Sequence, residues 1–404
     1  MDTKFDSGAA RSIGGMGFHT LPHIVEVNAE MKQRWQDIGR LGQSVLTKVS
    51  GLVAMAMAGE LGLEWISKLM LGSIPGQYHN LARELMITVG ERSPVRFFRA
   101  DVVGEGQIAE FQCPGSGWAY SRELEQHYGI SAEESPILAA YKDWANGRKL
   151  SWWLHDQNHR NSVRFLCEEC RKIGVEVIVA ENDNDFDAES AEAVIKRPPL
   201  PELIAHPKGR RLLERWLKGE VELDLLPTMV PETKFVMALL HHPTTGHLFT
   251  TEEKGLCPPT FVVYEGGQEI PFKGKNFTVR ELVERHPRNF VLKYGGACKE
   301  FRGGCHAVYH LGVKSMKLVD RTELLGRAVV DAQVGEGWIL QEFRPAHWNI
   351  KDIFGRNNNF YAIFRPHYYL NEVTGLVEMV NSSVAARHDW KVHCRSDAYL
   401  GICQ

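Results

Sequence analysis

Residues 99–117 read RADVVGEGQIAEFQCPGSG, two apolar stretches on either side of a glycine-flanked glutamate. Side chains on a strand alternate faces, so Arg99 and Asp101 share one face, and Glu110 and Gln112 share one. An even turn at Glu105-Gly106 would set Asp101 opposite Glu110 and Arg99 opposite Gln112. A three-residue loop would send the two pairs to opposite faces, because cross-strand partners point the same way. The first register gathers two carboxylates, an amide oxygen and a guanidinium on one surface. A hard cation such as Mg2+ takes oxygen ligands of this kind and keeps positions for water and phosphate, while arginine holds the phosphate oxygens the metal leaves uncovered. The plain alternative is a solvated hairpin face with an ordinary ion pair.

Composition narrows the class. The 404 residues are 44% hydrophobic and 24% charged, as in ordinary globular proteins, and suffice for two or three domains with a sizeable core. A formal charge of -3 gives no electrostatic case for a nucleic-acid or membrane partner. Eight irregularly spaced cysteines do not form a disulfide framework, which points to a reducing cytoplasm. The opening Met-Asp-Thr-Lys-Phe-Asp lacks a signal peptide's features. The most apolar window, SGLVAMAMAGELGLEW, is interrupted by Glu60 and Glu64 and is too short to span a bilayer.

Apolar spacing from Ile24 to Ile87 predicts amphipathic helices. From residue 150, LSWWL, SVRFLCEECRKIG and VEVIVA read as strand, helix (Ser162 to Gly174) and strand, a parallel α/β unit. ENDNDFDAES and KRPPLPE mark loops around a further short helix. Beyond residue 226, ETKFVMALLHHP reads as a capped helix and TVRELVERHP as another. TFVVYEGG follows the first of these, and NFVLKYGG, GWILQEF and FYAIFRPHYYL read as strands.

Neither GxxxxGK[ST] nor a GxGxxG between strand and helix is present. FVLKYGGACKEFRGG instead sets Lys293 at the end of an apolar strand, before a loop containing Gly295, Gly296, Gly303 and Gly304. One ammonium and several backbone N–H groups there suit a polyphosphate, and a surface lysine before a turn is the plain alternative. GWILQEF ends in Gln341-Glu342, able to meet a purine edge through its backbone and a ribose through a carboxylate.

The order of these motifs resembles the circularly permuted ATP-grasp family, to which glutathionylspermidine synthetase-type ligases belong. In the permuted enzymes the metal-binding carboxylates precede the nucleotide-binding part, as they do here. The resemblance covers about residues 95–390 and leaves the first 90 outside it. It implies an α/β (α+β) fold in four parts. These are a helical N-terminal region (1–90), a relocated metal-binding hairpin of the ATP-grasp core (91–149), a pre-ATP-grasp-like α/β unit (150–225) and a nucleotide-binding part (226–404). It implies ATP and Mg2+, with Asp101, Glu110 and Gln112 as metal ligands and Arg99 and Arg365 as catalytic contacts to the transferring phosphoryl group. Lys234, Lys293, the four loop glycines, Gln341, Glu342 and Phe343 would bind the nucleotide. Gln112 stands where the family has asparagine, and Arg387 in VEMVNSSVAARHDW matches the family's closing arginine segment only loosely.

The implied activity is an ATP-dependent, ADP-forming carboxylate–amine ligase acting through an acyl phosphate. A small-molecule or peptide carboxylate and an amine would be its substrates. A phosphotransferase on the same fold and a catalytically inactive nucleotide-binding partner protein are the alternatives. The glycine loop 295–304 is expected to close over the phosphates. Cys167 and Cys170 form a CxxC near His155 and His159, but lie inside the predicted helix, where the spacing is that of core packing. HHPTTGH reads as a loop with exposed histidines.

Overall fold

The computed structural model describes residues 19–21, 23–92, 95–104, 106–112, 117–153, 160–195, 198–230, 233–296, 307–351, 357–387 and 398–404. After strand β1 (His19–Thr20) come α1 (Ala29–Met57), α2 (Glu64–Leu71) and α3 (His79–Arg92). Asn28 caps α1 by accepting from the Met31 N–H. The hairpin is β2 (Phe97–Val103) and β3 (Gln107–Gln112), followed by α4 (Trp118–His127) and α5 (Pro136–Ala145). The α/β unit contains β4 (Leu150–Trp153), α6 (Arg160–Lys172), β5 (Val177–Ala180), β6 (Ala193–Ile195), α7 (Leu200–Ala205), α8 (Pro207–Leu217) and β7 (Glu222–Leu223).

The next part holds α9 (Phe235–Leu239), α10 (Thr251–Gly255), β8 (Thr260–Val263), β9 (Glu269–Phe272), β10 (Lys275–Thr278), α11 (Val279–Arg285), β11 (Phe290–Tyr294) and β12 (Val308–His310). It continues through α12 (Leu318–Gln333), β13 (Trp338–Glu342), β14 (His347–Lys351), β15 (Asn357–Leu370), β16 (Val377–Arg387) and β17 (Tyr399–Ile402). No helix among the described residues is long and apolar enough to cross a membrane.

Two sheets position the candidate residues. The larger has seven strands in the order β1-β17-β16-β15-β2-β3, with β14 also pairing with β15. The hairpin therefore lies against a strand from the far end of the sequence. The second, β12-β11-β13-β8, is antiparallel throughout. A third sheet, β5-β4-β6-β7, is wholly parallel, as the strand–helix–strand pattern implies.

Period-two alternation divides the larger sheet into two unlike faces. On one, Phe98 stacks on Tyr368 with ring centroids 4.8 Å apart, and Phe364 lies beside Trp35 of α1. The Tyr368 hydroxyl donates to the Trp35 carbonyl at 2.7 Å. Gly39 lets the helix approach, because a Cβ there would lie 2.5 Å from the Tyr368 ring. The other face carries Phe97, Arg99 and Asp101 on β2 and Arg365, His367 and Tyr369 on β15, and α4 begins over it. Here Phe97 stacks on Tyr369 and meets Trp118, Tyr141 and Trp144, closing one end of the polar patch with aromatic rings.

Some elements differ from the sequence reading. Between the acidic and proline-rich stretches the chain forms strand β6 rather than a short helix; its three residues are buried and extend the parallel sheet beside β4. Helix α7 starts inside the proline-rich stretch, where a proline suits the first turn. Helix α9 is five residues long with no side-chain cap, and Lys234 occupies its N-cap position. The sequence reading left α4, α5 and α12 unassigned.

Candidate functional site

Arg99 lies opposite Gln112 and Asp101 opposite Glu110, the expected register, but the chain reaches it by another route. Val102 faces Ile108 and Val103 faces Gln107, so residues 104–106 connect the strands, not two residues. A three-residue connection alone would separate the acids. The register shift between Asp101 and Val102 leaves Ala109 as an extra residue in β3, and this bulge brings Glu110 back to Asp101's face. Gly104 and Gly106 make the turn with φ of 55° and 92°.

The bulge also aims a carbonyl. Lys293, at 7% exposure, donates from Nζ to the Ala109 carbonyl at 3.0 Å and to Gln341 Oε1 at 2.7 Å. Gln341 Nε2 donates in turn to Thr260 Oγ1 at 3.0 Å. Burial lowers the Lys293 pKa to about 8; the Glu110 carboxylate opposes that shift, and Lys234 adds to it.

Asp101 is 1% exposed and lies against the guanidinium of Arg99, with Nε at 3.0 Å and Nη2 at 2.9 Å from Oδ1. Half-buried Glu110 accepts from Gln112 Nε2 at 2.7 Å and pairs with Lys234 Nζ at 3.2 Å. The Lys234 backbone N–H donates to the Gly295 carbonyl at 2.9 Å, joining α9 to the end of β11. Gly295 is fixed by packing, since a Cβ would lie 2.5 Å from the Phe235 ring; at Gly296 it would meet the Tyr294 hydroxyl.

The structure thus brings Arg99, Asp101, Glu110, Gln112, Lys234, Lys293, Gly295 and Gln341 together. Half-buried Arg365 is on the same face of the sheet as Arg99, opposite Ser383 of β16. Arg387, the last residue of β16, is also on that face, opposite Tyr361. Gly303, Gly304 and most of the loop from 295 to 304 lie outside the described residues, so the expected lid does too.

At the end of β13 the backbone N–H of Glu342 donates to the Pro259 carbonyl and that of Phe343 to the Asn289 carbonyl. Both backbone donors are engaged within the protein, so of the expected purine and ribose contacts these two N–H groups are taken and the Glu342 carboxyl is what is left. Burial raises the pKa of that carboxyl, against the pull of Arg344, which donates to it at 2.7 Å. Phe343 packs on His310.

Could these residues hold a metal ion and a polyphosphate? Two carboxylates facing one another across strands repel unless a cation lies beside them. Both have one, Arg99 for Asp101 and Lys234 for Glu110. The oxygen donors are hard and suit Mg2+. Four cationic side chains, Lys234, Lys293, Arg99 and Arg365, share the site with the two acids, a surplus that suits a polyanion. No cluster of three or more His, Cys, Asp or Glu able to hold a metal occurs among the described residues, so Gln112 or phosphate oxygens would have to complete the shell.

Sequence reasoning missed His367, although its spacing of two from Arg365 on one strand places it on the same face. Gln112, Arg99, His367 and Asn381 are successive cross-strand partners along β3, β2, β15 and β16. His367 is fully buried, and its ring meets Trp118 edge-on at 5.2 Å. Burial, reinforced by Arg99 and Arg365, holds it well below the usual imidazole range and hence neutral. Beyond it, Asn381 donates to Glu125 of α4 at 2.5 Å.

The other candidates fall away from the site. Cys167 and Cys170 are fully buried inside α6, and burial raises both thiol pKa values, that of Cys170 to about 12. His155 and His159 lie outside the described residues. The expected exposed histidines of HHPTTGH are only partly so: His247 is exposed, but His242 stacks on Trp65 at 4.0 Å. Burial lowers the pKa of His241 to about 4.

No protein-family description and no curated protein matches this chain. Among solved structures, an apo-form glutathione synthetase-like effector from Globodera pallida superposes with a TM-score of 0.50 at 11% identity, covering 94% of this chain and 89% of that one. D-cycloserine synthetase superposes with a TM-score of 0.29 at 19% identity over 48% of this chain and 59% of that one. The first likeness is one of fold alone, and the second is too slight to argue from.

Proposed function

We propose that this protein is an ATP-dependent carboxylate–amine ligase with a circularly permuted ATP-grasp core, acting through an acyl phosphate. The observation that carries the reading is the convergence of Asp101 and Glu110 with Lys234, Lys293 and Arg99, drawn from β2, β3, the start of α9 and β11. The fold it shares with a glutathione synthetase-like protein supports the same reading, as does the order of motifs in the sequence.

In this reading Asp101, Glu110 and Gln112 would hold Mg2+, which would supply neutralisation of phosphate charge when bound. Lys293 and Lys234 contact phosphate oxygens, and Arg99 and Arg365 stabilise the charge that builds as a carboxylate attacks the γ-phosphoryl group. The P–O bond to ADP breaks as the bond to the carboxylate oxygen forms. An amine then displaces phosphate from the acyl carbon and gives up a proton, leaving an amide. The protein's contribution is positioning and electrostatics, with no covalent attachment to a side chain. Glu342 and Phe343, at the end of β13, would contact the nucleoside.

The test is a thermal shift with Mg-ATP followed by an ADP-release screen over amino acids, peptides and polyamines. Stabilisation together with amine-dependent ADP release is expected; no shift and no release would reject the reading. A non-catalytic nucleotide-binding role is favoured by one observation, that both carboxylates already carry an internal cation. Binding without ADP release against any carboxylate–amine pair would select it.

A further inference from the structure

Lys234 is placed by little that is local. It stands at the N-cap of α9, a helix of five residues with no side-chain cap, too short to hold itself together. Its ammonium nevertheless reaches Glu110, 3.2 Å away, on a flexible stem. One backbone bond ties the residue down, from its N–H to the Gly295 carbonyl at 2.9 Å. The Gly295 N–H donates in turn to the Gly337 carbonyl at 2.8 Å, so the start of α9, the end of β11 and the start of β13 meet in one ladder.

The next residue, Phe235, seals that ladder. Its ring is 1% exposed, and a Cβ on either glycine would lie 2.5 Å from it. The nearest ring atom is Cε1 at Gly295 and Cζ at Gly337, so both glycines open one slot for the same ring edge. Neither has a φ in the left-handed region; what glycine supplies at both positions is room for the ring.

Helix α2 belongs to the N-terminal region, outside the motifs read from the sequence, and closes the slot from behind. Leu69 Cδ2 would lie 2.7 Å from a Cβ on Gly337, beside the ring. Lys68 donates to the Gln333 carbonyl at 3.1 Å, and Gly72 lies so close to the Gly335 carbonyl that no Cβ would fit. The helix and its C-cap thus grip the turn between α12 and β13.

Resting on the ligase reading, we propose that Phe235 is a positioning residue: its ring, wedged against Gly295 and Gly337 and backed by Leu69, aims the Lys234 ammonium at the phosphates. Helix α2 then has a part in nucleotide binding without touching nucleotide, as the back wall of this wedge.

A size swap separates positioning from plain core packing. Phe235→Leu removes the ring edge, and Gly337→Ala puts a methyl group where that edge lies. Each alone should weaken Mg-ATP binding about tenfold by calorimetry, the size of one hydrogen bond to a charged group. The double variant refills the slot and is expected to restore most of the affinity. Leu166→Ala, at a buried side chain of α6 in a separate core, is the control for lost packing and should bind as wild type does. Wild-type affinity in Phe235→Leu overturns the proposal. Losses that follow thermal stability across all four variants, with no recovery in the double one, overturn it too.

A second measurement needs no nucleotide. Amide hydrogen exchange at Lys234 reports its bond to Gly295, and Phe235→Leu is expected to speed it about tenfold over Leu166→Ala. Equal exchange in the two variants overturns the positioning role. If wild-type protein does not bind Mg-ATP while the exchange does respond, the ligase reading alone falls.

Discussion

Gly117 stands so close to Arg99 that a single methyl group would lie 2.5 Å from Nη1 of the guanidinium. Gly129 offers an internal control, with a nearly equal φ of 84° but nothing within 4 Å of its Cβ position. Alanine at Gly129 should cost about 1 kcal/mol of backbone strain. Alanine at Gly117 should cost visibly more in denaturant unfolding and should also weaken Mg-ATP binding. Equal losses at the two positions would show that Arg99 yields freely.

The two candidate acidic ligands differ in burial, and their variants should differ in stability. Asp101→Asn breaks a buried ion pair, for which about 3 kcal/mol is a reasonable loss. Glu110→Gln acts on a half-buried side chain and should cost under about 1 kcal/mol. Both should abolish ATP turnover. Normal turnover in either folded variant would remove that residue from the metal site.

Lys293→Met tests the buried ammonium with a side chain of similar volume. It leaves the Ala109 carbonyl and Gln341 Oε1 without their donor but also removes a buried charge, so stability should change by no more than about 1 kcal/mol. Mg-ATP affinity should fall sharply in the same variant. A large drop in stability with affinity retained would make Lys293 a structural clamp between β11 and the bulge.

His241 should contribute to acid sensitivity. Its folded-state pKa of about 4 lies below the ordinary value of 6.5, so the unfolded chain takes up a proton that the folded one refuses. Its stabilising contribution is complete above about pH 6.5 and is lost as pH falls towards 4, at up to about 1.4 kcal/mol per pH unit. His241→Gln should flatten the stability–pH curve in that window. An unchanged slope would show that the imidazole protonates in the folded state at its normal pKa.

The hairpin pairing was legible because alternation and the spacing of four polar residues leave few registers. The bulge at Ala109 was not: an inserted residue in a strand changes no composition and no periodicity long enough to read. Strand β6 was hidden by its length, three residues between polar loops, and only its neighbour β4 makes it a strand. The inward course of Gln341 depends on Lys293, which arrives on a different strand. His367 could have been found, since Arg365 and His367 alternate on a run already read as a strand, but its pairing with Arg99 joins distant parts of the sequence. Local pattern carries the elements; the meetings between them arise from topology.

That topology bears on synthesis. Phe98 finds its cross-strand partner at Tyr368, and Arg99 finds His367, so the hairpin reaches its final neighbours only after β15 has left the ribosome. Until then β2 presents an unpaired edge rich in aromatic and branched residues, a state open to wrong partners. A premature stop shortly before β15 would yield a chain that still carries Asp101, Glu110, Lys234 and Lys293, yet the hairpin bearing the two acids would have no strand to pair with along β2.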